Sequence, residues 1–233
     1  MNVIILAGGL GTRLSELTKK IPKPMVKIGK YPIIFYIMKH FSKFGFKNFY
    51  IAAGYKQEII KKYFKKKKLS WNVNIIDTGQ RTQTGGRIKK LMPFMKNQTF
   101  FMTYGDGLAN VNILKLLRFH KKNKAIATMT AVRPPARFGA IKISGNKVKY
   151  FREKSKLDEG WINGGFFIFE PKIFSYIKSD KTILEKEPLV NLGKQKKLNA
   201  YKHYGFWQCM DTARDKLILE KILKLKKFKK IFD

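Results

Sequence analysis

Apolar runs of strand length alternate with segments whose apolar residues recur at helical spacing, and this alternation restricts the fold more than any other feature of the chain. Repeated strand–helix–strand units build a mainly parallel sheet with helices on its faces. Residues 2–6 (NVIIL) read as a short buried strand that runs into the glycine-rich turn Gly8-Gly9-Leu10-Gly11. Residues 32–44 carry apolar groups at helical spacing, with Pro32 in the first turn and Gly45 as the stop. A strand at 48–52 precedes a basic amphipathic helix at 56–65, which ends in the lysine run 65–68. Residues 72–77 and 99–103 read as two more strands, separated by a turn-rich stretch from Thr78 to Arg87. A helix at 112–122 leads to a strand at 125–131. Beyond Pro134-Pro135 the texture changes to short strands at 138–144, 147–152 and 163–169. Helices near 171–177 and 182–192, a strand at 198–203 and a last helix from about 212 to 225 complete the pattern. The expectation is an α/β chain with a mixed, mainly parallel sheet.

Composition excludes several classes. With 44% apolar residues, 19 Phe and 10 Tyr in 233 residues, the chain can bury a sizeable core, so disorder is not its main state. The single cysteine excludes a disulfide framework and a cysteine-based zinc site, and fits a reducing cytoplasm. No apolar run approaches the roughly 18 residues of a membrane span, and the start MNVIILAGG lacks the basic segment of a secretory signal. A cytoplasmic location is therefore expected. The charge is extreme, with 50 Lys+Arg against 15 Asp+Glu and a net +35. Of the basic residues 42 are Lys and 8 are Arg, whereas bidentate recognition of phosphate and guanine favours Arg. Lys, Ile, Asn, Phe and Tyr are also the residues of A/T-rich codons, so genome composition supplies one reading of the charge. An anionic partner, including a membrane surface met by the basic tail 226–232 (KKFKKIF), supplies the other. The aromatics sit within strand and helix patterns, not between the basic runs, which speaks against single-stranded nucleic acid.

Four motifs carry chemistry. In Leu6-Ala7-Gly8-Gly9-Leu10-Gly11-Thr12-Arg13 the glycines let backbone approach a ligand and leave amides to hold an anion, while Arg13 adds a positive fork. No Lys-Ser or Lys-Thr follows the last glycine, so this is not a P-loop. Pro22-Lys23-Pro24 holds one lysine between two conformationally restricted residues. Thr103-Tyr104-Gly105-Asp106-Gly107 places a carboxylate just past an apolar strand, where open α/β sheets bind ligands. Asp211 precedes the last helix, but Thr212 and Asp215 form a capping box of their own, which leaves Asp211 for another task. Two aspartates from distant segments suit Mg²⁺ shared with substrate phosphates. The three histidines, His40, His120 and His203, belong to no such motif.

These motifs occur in one order across nearly the whole chain: LAGGLGTRL, PKPMVKIG, TGGR, TYGDG, RFGA, INGGFF, EPL, GFWQ and DTARDK. In this the chain resembles the sugar-1-phosphate nucleotidylyltransferases, and within them the cytidylyltransferases that act on glucose 1-phosphate. The resemblance implies a Rossmann-like fold of the nucleotide-diphospho-sugar transferase type. It implies a single domain over 1–233, with a nucleotide-binding part at about 1–131 and a sugar-binding part at about 132–211, followed by a C-terminal helix and basic tail at 212–233. The activity implied is transfer of a cytidylyl group from CTP to glucose 1-phosphate with Mg²⁺, giving CDP-glucose and pyrophosphate, with dTTP, UTP, GTP or a different sugar as the alternatives, in a homo-oligomer. Leu6, Ala7, Gly8, Gly9 and Leu10 would wrap base and ribose, and Gly11, Thr12 and Arg13 the triphosphate. Lys23 would meet the reacting phosphates, with Thr82, Arg87 and Gly105 on the nucleotide. Asp106 and Asp211 would hold the metal, and Arg13, Lys23 and Asp106 would carry catalysis. Gly139, Glu153, Lys154, Asn163 and Gly164 would take the sugar phosphate. Relatives carry a longer insertion where this chain has only KKKKLS at 65–70, Pro where it has Ser155, and Pro where it has Cys209.

Overall fold

The computed structural model describes residues 1–11, 14, 18–135, 139–152, 160–226 and 228. In chain order the elements are β1 (Asn2–Ala7), β2 (Lys27–Ile28), β3 (Tyr31–Pro32), α1 (Ile33–Lys43), β4 (Asn48–Ala53), α2 (Gln57–Lys65), β5 (Asn72–Asp77) and α3 (Thr84–Lys90). Then follow β6 (Phe100–Tyr104), β7 (Gly107–Ala109), α4 (Ile113–Asn123), β8 (Ala127–Val132), β9 (Ala140–Ser144), β10 (Lys147–Arg152) and β11 (Ile162–Phe169). The order ends with α5 (Glu187–Lys194), β12 (Leu198–His203), β13 (Trp207–Cys209) and α6 (Ala213–Lys224).

Among the described residues one seven-stranded sheet runs in the order β12-β8-β11-β6-β1-β4-β5. Its pairings are parallel except that β11 runs antiparallel to both β6 and β8. The mixed, mainly parallel sheet is thus the one expected. Strand β1 reads NVIILA without alternation because both of its faces are covered, as central parallel strands require. Val3 and Ile5 point into a core with α1, Ile60 and Phe64 of α2, Leu116 of α4 and Leu219 of α6. Ile4 and Leu6 point into a second core with Ile88 of α3 and Leu189 and Leu192 of α5. Among the described residues no helix is long and apolar enough to cross a membrane.

Several expectations need correction. Helix α1 starts at Ile33, so Pro32 lies just outside it. Helix α3 begins inside the stretch expected to be turn, despite the low helix propensity of Gly85 and Gly86. Packing decides it: a Cβ on Gly86 would lie 2.4 Å from the carbonyl oxygen of Asp180. Conversely, residues 182–186 are not helical, and α5 starts only at Glu187. The Thr182 carbonyl accepts from the Gly85 amide at 3.0 Å, and the Leu184 amide donates to Thr84 Oγ1 at 2.9 Å. These bonds to the start of α3 replace helical ones. The helix expected near 171–177 is a 3₁₀ turn, Pro171–Tyr176. The short ribbon of β7 with β13 is a further element that alternation alone does not predict.

Candidate active site

Adjacent parallel strands β1 and β6 end at the same edge of the sheet, with Leu6 in register with Tyr104. The chain leaves β1 through Gly8-Gly9 and β6 through Gly105-Asp106, so both motifs meet at one place. Gly105 must be glycine here. A Cβ would lie 2.9 Å from the Leu6 carbonyl oxygen and 2.9 Å from the Pro24 ring.

Two local devices bring Asp106 and Asp211 together across 105 positions of sequence. The first is the β7–β13 ribbon, in which Gly107 faces Cys209 and the Met210 amide donates to the Asp106 carbonyl at 2.9 Å. The second is the cap of α6. Thr212 Oγ1 accepts from the Asp215 amide at 3.2 Å, and Asp215 Oδ2 accepts from the amides of Thr212 at 2.8 Å and Asp211 at 3.1 Å. Asp215 therefore does the capping, as the spacing predicts, and the Asp211 carboxylate is turned toward Lys23.

Lys23 opens a 3₁₀ turn, Lys23–Met25, whose Pro24 and Met25 are buried. From this fixed backbone its Nζ donates to Asp106 Oδ2 at 2.7 Å and to Asp211 Oδ1 at 2.6 Å. Burial alone would lower the Lys23 pKa, but the two carboxylates outweigh it and hold the ammonium above its ordinary value. Lys23 is thus a permanent cation at neutral pH. Among the described residues, two carboxylates face one ammonium here.

A cavity of about 690 Å³ opens above this triad. Its wall takes in Leu6, Ala7, Gly8, Gly9, Leu10 and Gly11 from the first motif, with Lys23, Thr82, Arg87, Gly105, Asp106 and Asp211. A second cavity of about 270 Å³ adjoins it, lined by Asn163, Gly164, Gly165, Trp207 and Cys209 among others. The two share Tyr104, Asp106 and Asp211. Gly139 lines neither. Thr12, Arg13, Glu153 and Lys154 lie outside the described residues.

Arg87 is buried, and its guanidinium is occupied. Nη1 donates to the carbonyls of Ala53 at 3.2 Å and Gly79 at 2.8 Å and to Thr78 Oγ1 at 2.5 Å. Nη2 donates to the carbonyls of Gly8 at 2.9 Å and Gln80 at 3.3 Å. Burial draws its pKa down and Asp77 opposes this. A Cβ on Gly8 would lie 2.0 Å from Nη1, so the glycine is what admits the arginine. Arg87 clamps the first motif to the loop after β5, shaping the cavity wall through backbone. Arg87→Met should therefore act on stability: it removes a buried guanidinium's hydrogen bonds to the Gly8 and Ala53 carbonyls and the Thr78 hydroxyl, for a loss of about 3 kcal/mol, or about 6–12 °C in Tm. Thermal unfolding of the variant checks this.

No histidine lines either cavity. Burial pushes the His40 pKa down to about 4, so it is neutral and donates to the Val111 carbonyl at 2.8 Å. His120 bridges Thr128 and Glu170, and His203 bonds the Phe206 carbonyl. Burial, helped by the neighbouring Asp211 and Asp106 carboxylates, pushes the Cys209 thiol up to about 12. It stays protonated, which suits a packing residue and not a nucleophile.

Sequence reading passes over two residues of importance here. Tyr104 stands on both cavity walls, and its hydroxyl donates to Glu185 and accepts from Asn163 Nδ2 at 3.2 Å. Burial, and after it the Glu185 carboxylate, drives its pKa well above the ordinary phenol value. Tyr104 had a signal in its place within TYGDG; Glu185 had none.

The sequence pattern of the nucleotidyl transferase family matches residues 2–210. A protein of Salmonella typhi described as glucose-1-phosphate cytidylyltransferase is 45% identical, over 94% of this chain and 95% of its own length. A Bacillus subtilis (strain 168) protein described as probable glucose-1-phosphate cytidylyltransferase is 40% identical, over 95% and 96%. Among solved structures, HddC from Yersinia pseudotuberculosis superposes with a TM-score of 0.76 at 26% identity, covering 96% of this chain and 99% of its own.

Proposed function

This chain belongs to the nucleotidyl transferase family, and on that premise we propose that it transfers the cytidylyl group of CTP to glucose 1-phosphate, giving CDP-glucose and pyrophosphate. The observation that carries the reading is the junction of two cavities at Asp106 and Asp211, both of them paired to Lys23 of the larger cavity. The larger has room for a nucleoside triphosphate and the smaller for a sugar phosphate, and a reacting phosphorus belongs where they meet.

The attacking group is a phosphate oxygen of the sugar phosphate, anionic at neutral pH, so no general base is needed. That agrees with the placement of the histidines away from the cavities. Catalysis then rests on in-line positioning and on neutralising charge at the α-phosphate. Lys23, held rigid and permanently charged, stabilises the equatorial oxygens as the phosphorus becomes five-coordinate. Amides of the Gly8–Gly11 loop hold the nucleotide phosphates, and Arg13 joins them on the departing pyrophosphate. Thr82 and the loop around it border the base, and Asn163 and Gly164 the sugar.

Asp106 and Asp211 would hold Mg²⁺. The donor set fits: two partly exposed carboxylates from distant segments, facing a cavity that phosphate oxygens would enter, which is the environment magnesium prefers. Bound there, Mg²⁺ supplies further charge neutralisation at the reacting phosphates.

Base choice is tested by kinetics. Cytosine offers an exocyclic amino donor with carbonyl and ring-nitrogen acceptors, and uracil reverses part of this pattern. Backbone groups around Leu6–Gly8 and Thr82 to Arg87 can separate them, because the wrong base leaves a buried polar group unpaired, worth roughly ten- to a hundredfold in selectivity. With glucose 1-phosphate and Mg²⁺, CTP should exceed UTP, dTTP and GTP in kcat/KM for pyrophosphate release. Preference for another nucleotide would overturn the cytidylyl assignment and leave the nucleotidyl transferase reading in place.

A further inference from the structure

Glu185 lies in the non-helical stretch before α5, far in sequence from the two hydroxyls it bonds. One carboxylate oxygen accepts from the Thr84 hydroxyl at 2.6 Å, and Thr84 is on the wall of the larger cavity. The Thr84 hydroxyl in turn accepts from the Leu184 amide at 2.9 Å, so its own hydrogen is directed at Glu185. The other carboxylate oxygen accepts from the Tyr104 hydroxyl. With its hydrogen committed, the Tyr104 oxygen is left as an acceptor, and Asn163 Nδ2 donates to it at 3.2 Å. Asn163 Oδ1 accepts from the Gly165 amide at 2.9 Å. Both ends of the Asn163 amide are thereby assigned, and it cannot turn over without breaking two bonds.

We infer that Glu185 is a positioning residue that, acting through Tyr104, fixes the orientation of the Asn163 amide in the smaller cavity and so sets affinity for the sugar phosphate. The inference rests on the reading that this cavity takes the sugar phosphate. A carboxylate accepts from both hydroxyls, which directs the Thr84 and Tyr104 hydrogens at Glu185 and leaves the Tyr104 oxygen to accept from Asn163, while the Gly165 amide holds the other end of the Asn163 amide. The amide carries a second N–H, and the relay dictates that the ligand meets that donor and not a carbonyl oxygen. A turned amide would place oxygen against oxygen.

Two substitutions separate positioning from general support. Tyr104→Phe keeps the ring and removes the acceptor that Asn163 uses. Glu185→Gln keeps the length but has one acceptor oxygen where the carboxylate has two, so one hydroxyl must turn. Each is assayed on the full chain by pyrophosphate release from CTP and glucose 1-phosphate. KM for glucose 1-phosphate should rise about tenfold in each variant, the scale of one positioned hydrogen bond, with KM for CTP and kcat within about threefold of the parent. The double variant should do no more than the larger single effect, because both changes break one chain. Should Tyr104→Phe fail to fold, Glu185→Gln gives the same reading alone. An unmoved sugar KM in a folded variant, or a parallel rise in both KM values, overturns the relay. A parent chain that releases no pyrophosphate from this pair overturns the reading of the cavities, and the relay with it.

Discussion

Asp106→Asn and Asp211→Asn should each lower turnover at least about a hundredfold with Mg²⁺ present, on the scale of losing one major electrostatic group at the reacting centre. Each change removes a charge from the pair that holds Lys23 at 2.7 and 2.6 Å and that would hold the metal. The fold should survive. Asp106 leaves a strand end, and the cap of α6 is made by Thr212 and Asp215 without the Asp211 side chain. The check is steady-state pyrophosphate release beside thermal unfolding. Near-parent turnover in either variant would remove that aspartate from the reacting centre, whereas a collapse in Tm would assign it to the fold.

Lys23→Ala should cut kcat about a hundred- to a thousandfold and change KM for the nucleotide by less, because a cation aimed at charge that develops on the α-phosphate acts more strongly on the transition state than on bound substrate. Its backbone is set by the surrounding prolines, so the loss is of the ammonium and not of the loop. The pH dependence has a definite sign. A lysine whose folded pKa is raised contributes its ion-pair stabilisation fully below the unfolded value of 10.5 and loses it only as pH climbs through the higher folded value. Activity between pH 6 and 9 should therefore show no step belonging to Lys23. A variant with intact kcat and a raised KM would make Lys23 a residue of ground-state binding.

What the sequence discloses is what short-range spacing can encode. The glycine turn after β1, the proline-flanked lysine, the carboxylate after β6 and the Thr212–Asp215 cap each depend on residues within a few positions, and each is legible. From the last of these it already follows that Asp211 is spare. What is not legible depends on partners far apart in the chain. Glycines 85 and 86 read as turn because their low propensity is visible and the backbone that packs on them, of Thr182 and Asp180 respectively, is not. Residues 182–186 read as helix because the competing bonds come from Thr84 and Gly85. Arg87 is placed on the nucleotide by resemblance and does line the larger cavity, but its hydrogen bonds to the carbonyls of Ala53 and Gly8, 34 and 79 positions away, are visible only in the fold. Glu185 is one acidic residue in a lysine-rich stretch, and only the fold puts it against Tyr104.

The central claim is that a phosphate oxygen of the sugar phosphate attacks the α-phosphorus at the Lys23–Asp106–Asp211 junction. Glucose 1-phosphate labelled with ¹⁸O in its phosphate group, turned over with CTP and Mg²⁺, tests it most directly. Mass spectrometry should find all the label in CDP-glucose and none in pyrophosphate, with no pyrophosphate formed when the sugar phosphate is left out. Label in the pyrophosphate, or CTP cleaved equally well without the sugar phosphate, would contradict the account.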